Sequence, residues 1–335
     1  MGSIGCSNQL KGKFNKQMNV LLTGAFGNIG TYTLTELFKR GYQVSAFDLN
    51  SRANKRQALR FGRKLKIFWG DIRNPQDIQK AVASQDVVIH LAAVIPHLSA
   101  TGINSEDRPE LAEAVNVGGT RNVIEAILSQ EHPARLILGS SLHVFGRTQR
   151  LLPPRRVSDP VSPVEHYAHH KVQMEQMVRT SPLVWSIFRF AAALPIRLII
   201  DPGMFNVPLD NRIEYVHSKD VAIALSNALE CDQVWGRTLL IGGGQNCQFY
   251  YRDLMKQILG AAGMREFPER AFTKEEFSTD WLDTEESQRL LNYQQRTLTD
   301  YVSEMRSKLG GLRYIVRMLQ PLIARWLLKR SPYFK

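Results

Sequence analysis

The most constraining feature of this chain is a regular alternation of two kinds of segment. Short apolar runs alternate with longer segments whose apolar residues recur every three to four positions. The short runs predict buried β-strands, and the periodic segments predict helices. Strands and helices that alternate in this way form a parallel sheet with right-handed crossovers. We therefore predict an α/β fold with a doubly wound parallel sheet, whose strands lie at 19–23, 43–48, 65–69, 86–91, 135–139 and 184–189.

A glycine-rich turn follows the first predicted strand and opens the first predicted helix. Gly24, Gly27 and Gly30 stand three residues apart. Glycine keeps such a turn tight and lets a pyrophosphate approach the N-terminal amides of the helix. Asp48, at the end of the second strand, could accept hydrogen bonds from an adenosine ribose and repel a 2′-phosphate. These residues predict NAD as the cofactor, whereas the basic cluster that begins at Arg52 leaves NADP open.

The glycine spacing and several later segments resemble the extended branch of the short-chain dehydrogenase/reductase family, which contains NAD-dependent epimerases, dehydratases and dehydrogenases. The later segments include Gly70-Asp71-Ile72 and His90-Leu91-Ala92-Ala93, in the family's order. The resemblance implies a Rossmann-type fold and a cofactor bound at the ends of its first strands. The cofactor-binding residues that it implies are Gly24, Phe26, Gly27, Asn28, Ile29, Gly30, Asp48, Asp71, Ile72, Leu91, Ala92, Ala93 and Lys171.

The same resemblance supplies a candidate catalytic set. Tyr167 and Lys171 form a Tyr-x-x-x-Lys pattern, and Ser141 lies 26 residues before the tyrosine. On a helix this spacing puts both side chains on one face, so that the ammonium can lower the pKa of the phenol. The implied roles are acid/base for Tyr167, activator for Lys171, substrate orienter for Ser141 and proton relay for Asn116.

Other patterns near this set are interpreted differently. A second Tyr-x-x-x-Lys, at 215–219, is rejected because 213–217 is typical of a strand. Three histidines surround the catalytic tyrosine without a carboxylate or cysteine at ligand spacing, so no metal site is predicted. They are His166, His169 and His170. The histidines predicted to line a substrate pocket are His97, His143 and His166.

The implied function is that of an NAD(P)-dependent oxidoreductase. Hydride passes between the nicotinamide and a secondary alcohol or ketone, while Tyr167 exchanges a proton with the substrate oxygen. Residues 189–195 lack the Asn and Gly-Pro turn usual in nucleotide-sugar enzymes of the branch, which favours a smaller or more lipophilic substrate. Two alternatives stay open: an epimerase or dehydratase with tightly bound NAD, nucleotide-sugar enzymes included, and a non-catalytic NAD(P)-sensing protein.

The formal net charge of +12 is concentrated in two segments. Residues 52–66 carry seven Lys or Arg and no acid, and residues 301–335 carry eight Lys or Arg and one acid. Nucleic-acid-binding proteins more often place basic residues along a recognition helix or among stacking aromatics, so no nucleic-acid partner is predicted. The chain has no run of about 18 uncharged apolar residues. With only three scattered cysteines, it is predicted to be cytoplasmic.

The C-terminal segment is predicted to form a basic amphipathic helix. Eight apolar residues between 312 and 327 fall within an arc of about 140° on a helix that advances about 100° per residue. Such a helix suits the surface of an anionic membrane, through residues 312–330. It could instead cover its own domain or a partner subunit, as in a homodimer.

These patterns divide the chain into four predicted segments. The strand–helix alternation fades after residue 189, and residues 238–241 are interpreted as an isolated strand. The segments are a flexible leader at 1–17, an NAD(P)-binding Rossmann domain at 18–190, a smaller substrate-binding lobe at 191–300 and the basic amphipathic helix at 301–335.

Overall fold

The computed structural model describes residues 18–96 and 104–335. The predicted leader at 1–17 and the predicted pocket residue His97 lie outside the described residues. The strands are β1 (Asn19–Thr23), β2 (Gln43–Asp48), β3 (Lys66–Trp69), β4 (Val87–His90), β5 (Arg135–Ser141), β6 (Trp185–Phe190), β7 (Arg212–Glu214), β8 (Arg237–Ile241) and β9 (Gln248–Tyr250). The α-helices are α1 (Asn28–Lys39), α2 (Arg52–Ala58), α3 (Pro75–Val82), α4 (Pro109–Glu113), α5 (Gly119–Leu128), α6 (His166–Thr180), α7 (Ser218–Ala228), α8 (Tyr251–Ala262), α9 (Glu285–Leu291), α10 (Leu298–Leu309) and α11 (Leu312–Leu328).

The main sheet has seven strands in the order β3-β2-β1-β4-β5-β6-β8, and every neighbouring pair is parallel. Its central strands are buried on both faces, as the continuous apolar runs of the sequence predict. The strand order reverses between β1 and β4, and this reversal opens a crevice at the carboxyl ends of the strands. The predicted Rossmann-type, doubly wound sheet is confirmed.

Strand β8 differs from the prediction for residues 238–241. The sequence predicts an isolated strand for these residues, but β8 pairs in parallel with β6 and forms the seventh strand of the main sheet. The prediction of an isolated strand is therefore wrong, because the free edge of β6 offers a full ladder of backbone partners. The sheet also does not end at the domain boundary predicted after residue 190. The chain leaves the sheet after β6 and returns to it through β8.

A smaller lobe lies beside the sheet. It contains the antiparallel pair β7 and β9, helices α8, α10 and α11, and a hydrophobic cluster of its own. Residues 213–217 are only partly a strand, because β7 ends at Glu214 and Tyr215 adds a single bridge to Ala192. His217 then caps the start of α7. The fully buried Phe205, Tyr215 and Tyr301 are among the largest side chains of this lobe.

The C-terminal segment holds more than one helix. Residues 301–309 belong to α10, which starts at Leu298 and packs into the lobe through Tyr301 and Met305. Gly310, with a φ of 49°, ends α10, and α11 follows with Pro321 inside it. The segment predicted as one helix at 301–335 is thus divided at Gly310 and Gly311. Within residues 18–96 and 104–335, no helix is long and apolar enough to cross a bilayer.

Candidate active site

The glycine turn joins β1 to α1 at the reversal point of the sheet. Gly24 has a φ of 65°, and a Cβ on it would lie 2.8 Å from the backbone nitrogen of Ala92. A Cβ on Gly30 would lie 2.2 Å from the Gly24 carbonyl oxygen. These two glycines therefore allow the turn, the helix and the loop after β4 to pack closely. Gly27 is the N-cap of α1, and no side chain caps this end of the helix. The first amides of α1 can therefore bind an anion, since the positive end of the helix dipole lies there.

Asp48 ends β2 and holds the glycine turn from the side. Its Oδ2 accepts a hydrogen bond of 2.8 Å from the backbone N–H of Phe26. Its Oδ1 accepts from the backbone N–H of Leu49, at 2.8 Å, and from Nδ2 of Asn54, at 2.9 Å. Burial raises the pKa of this carboxyl, and the three hydrogen bonds act against that rise. These bonds fill three of the roughly four acceptor sites of the carboxylate, so about one is left for a ribose hydroxyl.

Asp71 and Ile72 lie in the turn after β3, near Asp48 but with separate contacts. The carboxylate of Asp71 pairs with Arg73 at 2.5 Å, and this hydrogen bond lowers the pKa of Asp71. Ile72 is buried in the core against α5, where a Cβ on Gly119 would meet its Cγ2 at 2.7 Å. The side chain of Ile72 is thus committed to packing, which leaves its backbone and Asp71 as the parts of this turn that could contact a ligand.

Asn116 lies in a short π-helical turn before α5 and fastens the loop after β4. Its Oδ1 accepts from the backbone N–H of Val94 at 2.7 Å, and its Nδ2 donates to the Val94 carbonyl at 2.9 Å. Both ends of the amide are therefore occupied in fixing this loop, which carries Leu91 and Ala93 along the cavity described below. The proton-relay role of Asn116 stays a prediction.

Ser141, Tyr167 and Lys171 come together at the end of β5 and on the first turns of α6. The hydroxyl of Ser141 is close enough to Tyr167 to act on the pKa of its phenol. The Nζ of Lys171 lies 5.6 Å from the centre of the Tyr167 ring and donates to the Gly139 carbonyl at 2.7 Å. All three predicted side chains are buried and adjoin one cavity. The helical spacing of the tyrosine and lysine therefore produces the shared face that the sequence analysis expects.

The pKa values at this site differ from the expectation. Burial raises the pKa of Tyr167 to about 12, and the hydroxyl of Ser141 acts against this rise. Burial also lowers the pKa of Lys171 to about 8, while the negative charge of Glu175 acts in the opposite direction. In the protein without cofactor, desolvation of the phenolate is the largest effect, so the pKa of the phenol is raised rather than lowered.

One cavity of about 460 Å³ connects the glycine turn with the lobe. It begins at Gly24, Gly27, Asn28, Ile29 and Gly30, passes Ser141, Tyr167 and Lys171, and ends among side chains of the lobe. The lobe end is predominantly apolar. Its lining includes Leu194, Val207, Leu254, Leu259, Phe277 and Met305. Asp48, Asp71, Ile72, Phe26 and Ala92 do not line this cavity.

Asn28 joins the two halves of the site, although the resemblance implies only cofactor contact for it. Its Nδ2 donates to the Ala193 carbonyl and to Oγ of Ser218, both at 3.0 Å. These bonds connect the glycine turn to the chain after β6 and to the start of α7. The side chain thus fixes the width of the cavity between the sheet and the lobe.

Glu106, which the sequence does not single out, caps the helix that carries Tyr167. Its two carboxylate oxygens accept the backbone N–H groups of His166 and Tyr167, each at 3.0 Å. A carboxylate at a helix N-terminus satisfies donors that have no partner within the helix and complements the dipole. No local signal could have revealed this contact, because about sixty residues separate the partners.

The partners of His143 are a second feature that the sequence does not reveal. Its ring packs edge-on against Tyr167 and Phe277, at centroid distances of 5.9 and 5.5 Å. Glu165 places a carboxylate oxygen 3.8 Å from Nδ1 of His143 and accepts a hydrogen bond of 2.5 Å from Ser278. Since His143 also lines the cavity, a second titratable side chain stands next to the phenol.

The other motifs lie away from this set. Tyr215 is fully buried against Tyr301, and Lys219 pairs with Glu304 at 2.6 Å, so the second Tyr-x-x-x-Lys pattern contributes neither residue to the cavity lining. In the described part of the chain, no group of three or more His, Cys, Asp or Glu side chains has a geometry that could hold a metal ion.

The strand order, the glycine turn and the tyrosine–lysine helix fit the resemblance to the extended short-chain dehydrogenases and reductases. Residues 20–182 match the model of the NAD dependent epimerase/dehydratase family. This match covers just under half of the chain, and it makes the Rossmann part of the chain similar to members of that family.

Individual relatives cover less of the chain. A 3-beta-hydroxysteroid dehydrogenase from Mycolicibacterium neoaurum is 36% identical over 107 residues, which are 32% of this chain and 28% of the relative. A UDP-glucose 4-epimerase from Pisum sativum is 28% identical over 170 residues, 48% of this chain and 46% of the relative. The chain thus spans less than half the length of these relatives.

Solved structures match the fold over most of the chain. UDP-glucose 4-epimerase from Thermotoga maritima superposes with a TM-score of 0.71 at 19% identity, and the match covers 89% of this chain and 100% of that one. At this identity the likeness concerns the fold alone.

Proposed function

We propose that this protein is an NAD-dependent oxidoreductase of the extended short-chain type, acting on a secondary alcohol or ketone with a lipophilic body. The observation that carries the proposal is the single cavity: it starts at the glycine turn, passes Ser141, Tyr167 and Lys171, and ends among apolar side chains. The cavity therefore offers a dinucleotide site and an apolar site on either side of one proton-transfer group.

The residues present fit a dinucleotide. The uncapped amides of α1 suit its pyrophosphate, and the carboxylate of Asp48 suits an adenosine ribose without a 2′-phosphate. When bound, NAD supplies a hydride acceptor and a positive charge on its ring. Similar proteins of known structure contain NAD, among them a UDP-glucuronic acid 4-epimerase from Bacillus cereus.

The chain's own residues would move one proton and orient one oxygen. Tyr167 takes the proton of the substrate hydroxyl, or returns it to a carbonyl, and Ser141 donates a hydrogen bond that fixes the same oxygen. Lys171 brings a positive charge to the same face of the helix. Tyr167 alone has a pKa of about 12. A nearby positive charge must therefore lower that value before the phenol can act as a base near neutral pH.

The lining of the cavity favours a lipophilic substrate over a nucleotide sugar. Among the described lining residues beyond the catalytic set, the side chains with full charges are Arg197 and Asp201, and the lobe supplies mainly Leu, Ile, Val, Met and aromatic residues. A nucleotide diphosphate carries two phosphates that need several donors or cations. A steroid-sized alcohol needs mainly apolar surface, and one relative is a 3-beta-hydroxysteroid dehydrogenase.

An epimerase or dehydratase is the second candidate, and the position of His143 favours it. His143 and its neighbour Glu165 stand beside Tyr167 in the cavity lining. A second titratable group next to the substrate would permit proton transfer at a second substrate atom. Such a reaction returns the hydride to the substrate, so its NAD would stay bound through each turnover.

Mass spectrometry of the nucleotide that co-purifies with the protein separates the two candidates. Exchangeable NAD, together with NADH formation from lipophilic secondary alcohols such as a 3β-hydroxysteroid, supports the dehydrogenase. Tightly retained NAD without net NADH formation supports the epimerase or dehydratase. Absence of NAD and NADP binding would contradict both.

Tyr167→Phe tests the site itself. The variant should lose turnover and keep cofactor affinity, because it removes only the phenolic hydroxyl. Tyr250→Phe, at an exposed tyrosine outside the cavity lining, is the matched control and should behave as the wild type. Unchanged turnover in Tyr167→Phe would refute the assignment of the acid/base.

For partners, we propose a small-molecule substrate and no nucleic acid. A cytoplasmic location, contact of residues 312–330 with a membrane surface, and a homodimer are also proposals. Light scattering of the purified protein tests the dimer directly.

A further inference from the structure

Helix α11 covers the lobe with one face and leaves a second apolar face uncovered. Val316 and Leu327 are buried, and they fasten the helix to the lobe. Beside them runs a set of exposed apolar side chains, here called the α11 stripe: Leu312, Ile315, Met318, Leu319, Leu322 and Trp326. On a helix that advances about 100° per residue, these six fall within an arc of about 120°. Exposure reaches 81% at Met318 and 67% at Leu322, so the stripe is not a partly covered edge of the core.

The charge around the stripe has one sign. Helix α11 contains no Asp or Glu, and the exposed Arg325, Lys329 and Arg330 lie along or beside the same arc. On the other side of the helix, Arg317 is also exposed. An apolar face bordered by cations, with a tryptophan on it, has the composition of a helix that lies in the headgroup region of an anionic bilayer.

A second pocket lies between the stripe and the cavity of the candidate active site, here called the reaction cavity. It has a volume of about 420 Å³ and lies between the end of α8 and α11. Met318, the most exposed residue of the stripe, lines this outer pocket together with Arg265 and Arg317. Met264 lines the outer pocket on one side and the apolar end of the reaction cavity on the other. The stripe, the outer pocket and the reaction cavity therefore follow one another in space.

We propose that the α11 stripe and its outer pocket bind the surface of an anionic phospholipid bilayer. Apolar side chains of the stripe enter the headgroup boundary, and the surrounding arginines and lysines contact lipid phosphates. The apolar end of the reaction cavity then lies next to the lipid. Entry of a lipophilic substrate from that side rests on the proposed function, whereas the lipid contact itself does not.

Charge argues against two other occupants of the stripe. A second copy of the chain would bring its own basic α11 against the first, and like charges across an interface oppose association. Residues 1–17 carry Lys11, Lys13 and Lys16 and no acid, so they would add positive charge to a positive surface. Anionic lipid neutralises the charge and accepts the apolar side chains at the same time.

The test is co-sedimentation of the full chain with vesicles. Vesicles of phosphatidylcholine with about one-third phosphatidylglycerol should pellet the protein, and pure phosphatidylcholine vesicles should bind it at least ten-fold more weakly. Binding to the anionic vesicles should fall several-fold in about 0.5 M salt, because salt screens the phosphate contacts. A protein that does not pellet with anionic vesicles would overturn the proposal.

Two variants probe the two components of the surface. Met318→Glu combined with Leu322→Glu places charges on the stripe and should weaken binding at least ten-fold. Arg325→Glu combined with Lys329→Glu reverses two charges and should also weaken it, most strongly at low salt. All four side chains are exposed, so the variants should fold, which circular dichroism checks. Leu152→Glu, at a side chain 90% exposed elsewhere on the molecule, is the control that should bind like the wild type.

Other results identify other occupants and refute the proposal. If the wild type is a dimer by light scattering and the Met318→Glu and Leu322→Glu variant is a monomer, a second copy covers the stripe. If vesicle binding appears only after residues 1–17 are deleted, that segment covers it. Vesicle binding needs neither substrate nor cofactor, so these outcomes leave the proposed function to its own test.

Discussion

Removal of the buried ammonium of Lys171 should stabilise the fold while it abolishes activity. The residue is 3% exposed, and its Nζ donates one hydrogen bond, to the Gly139 carbonyl. Burial lowers its pKa from 10.5 to about 8. A pKa unit corresponds to about 1.4 kcal/mol, so at neutral pH the charge costs the fold about 3 kcal/mol. Lys171→Met removes this cost, and loss of the donor to Gly139 offsets about 1 to 2 kcal/mol of the gain. The expected net stabilisation is about 1 to 2 kcal/mol.

The effect has a pH signature whose sign follows from proton binding. The pKa of Lys171 is about 8 in the folded protein and 10.5 in the unfolded chain. Between these values the unfolded chain binds more protons, so the wild type gains stability as the pH rises through this window. The advantage of Lys171→Met should therefore be largest below about pH 8 and should disappear by about pH 10.5.

Urea unfolding of the protein without cofactor, at several pH values across this window, measures the difference. Lys80→Met, at an exposed lysine in the last turn of α3, is the matched control. It should change the free energy of unfolding by less than about 0.5 kcal/mol and show no such pH dependence. A Lys171→Met variant that is less stable than the wild type near pH 7, or that differs by a constant amount at every pH, would refute the reasoning.

Three further substitutions test other parts of the site. Glu106→Ala removes the cap of α6 and should lower the free energy of unfolding by about 1 to 2 kcal/mol in urea titrations, whereas Glu131→Ala, on an exposed loop, should leave it nearly unchanged. Asp48→Asn should weaken NAD binding about ten-fold in calorimetry and reduce the preference for NAD over NADP, because it removes the charge that repels a 2′-phosphate; equal NAD affinity would place the ribose elsewhere. His143→Gln should reduce turnover and leave NAD affinity intact, since its ring contacts Tyr167; full activity would exclude a second proton-transfer group there.

The sequence predicts the main sheet well because its information is local. Each strand from β1 to β6 is a short apolar run, and parallel order follows from the helices between them. The same topology brings the glycine turn after β1 and Ser141 at the end of β5 to one edge of the sheet. The assembly of the site could therefore be predicted before any distance was known, because the carboxyl ends of parallel strands share an edge.

Contacts between distant segments could not be predicted in this way. The pairing of β8 with β6 depends on which sheet edge is free, and nothing in residues 237–241 identifies that edge. The cap that Glu106 provides for α6 is also a contact between distant segments, and it could not be predicted because a glutamate in a loop has many potential partners. Residue spacing indicates the charge of Lys171 but not the burial of Tyr167, and burial raises the pKa of the phenol in the protein without cofactor.

The apolar periodicity of helix α11 does not show which side chains are covered. Both interpretations of this helix apply, because one part of the apolar arc packs on the lobe and another part stays exposed. Spacing alone gives one apolar arc, which suits either a protein core or a lipid surface. In the structure the lobe takes Val316 and Leu327 from that arc, and residues such as Leu322 and Trp326 remain exposed. When an apolar arc is wider than the groove in which the helix packs, its remaining side chains either contact a second apolar environment or stay in water and promote aggregation. Because the lobe is already packed beneath α11, that second environment has to come from outside residues 18–96 and 104–335, and the cations beside the stripe favour an anionic one.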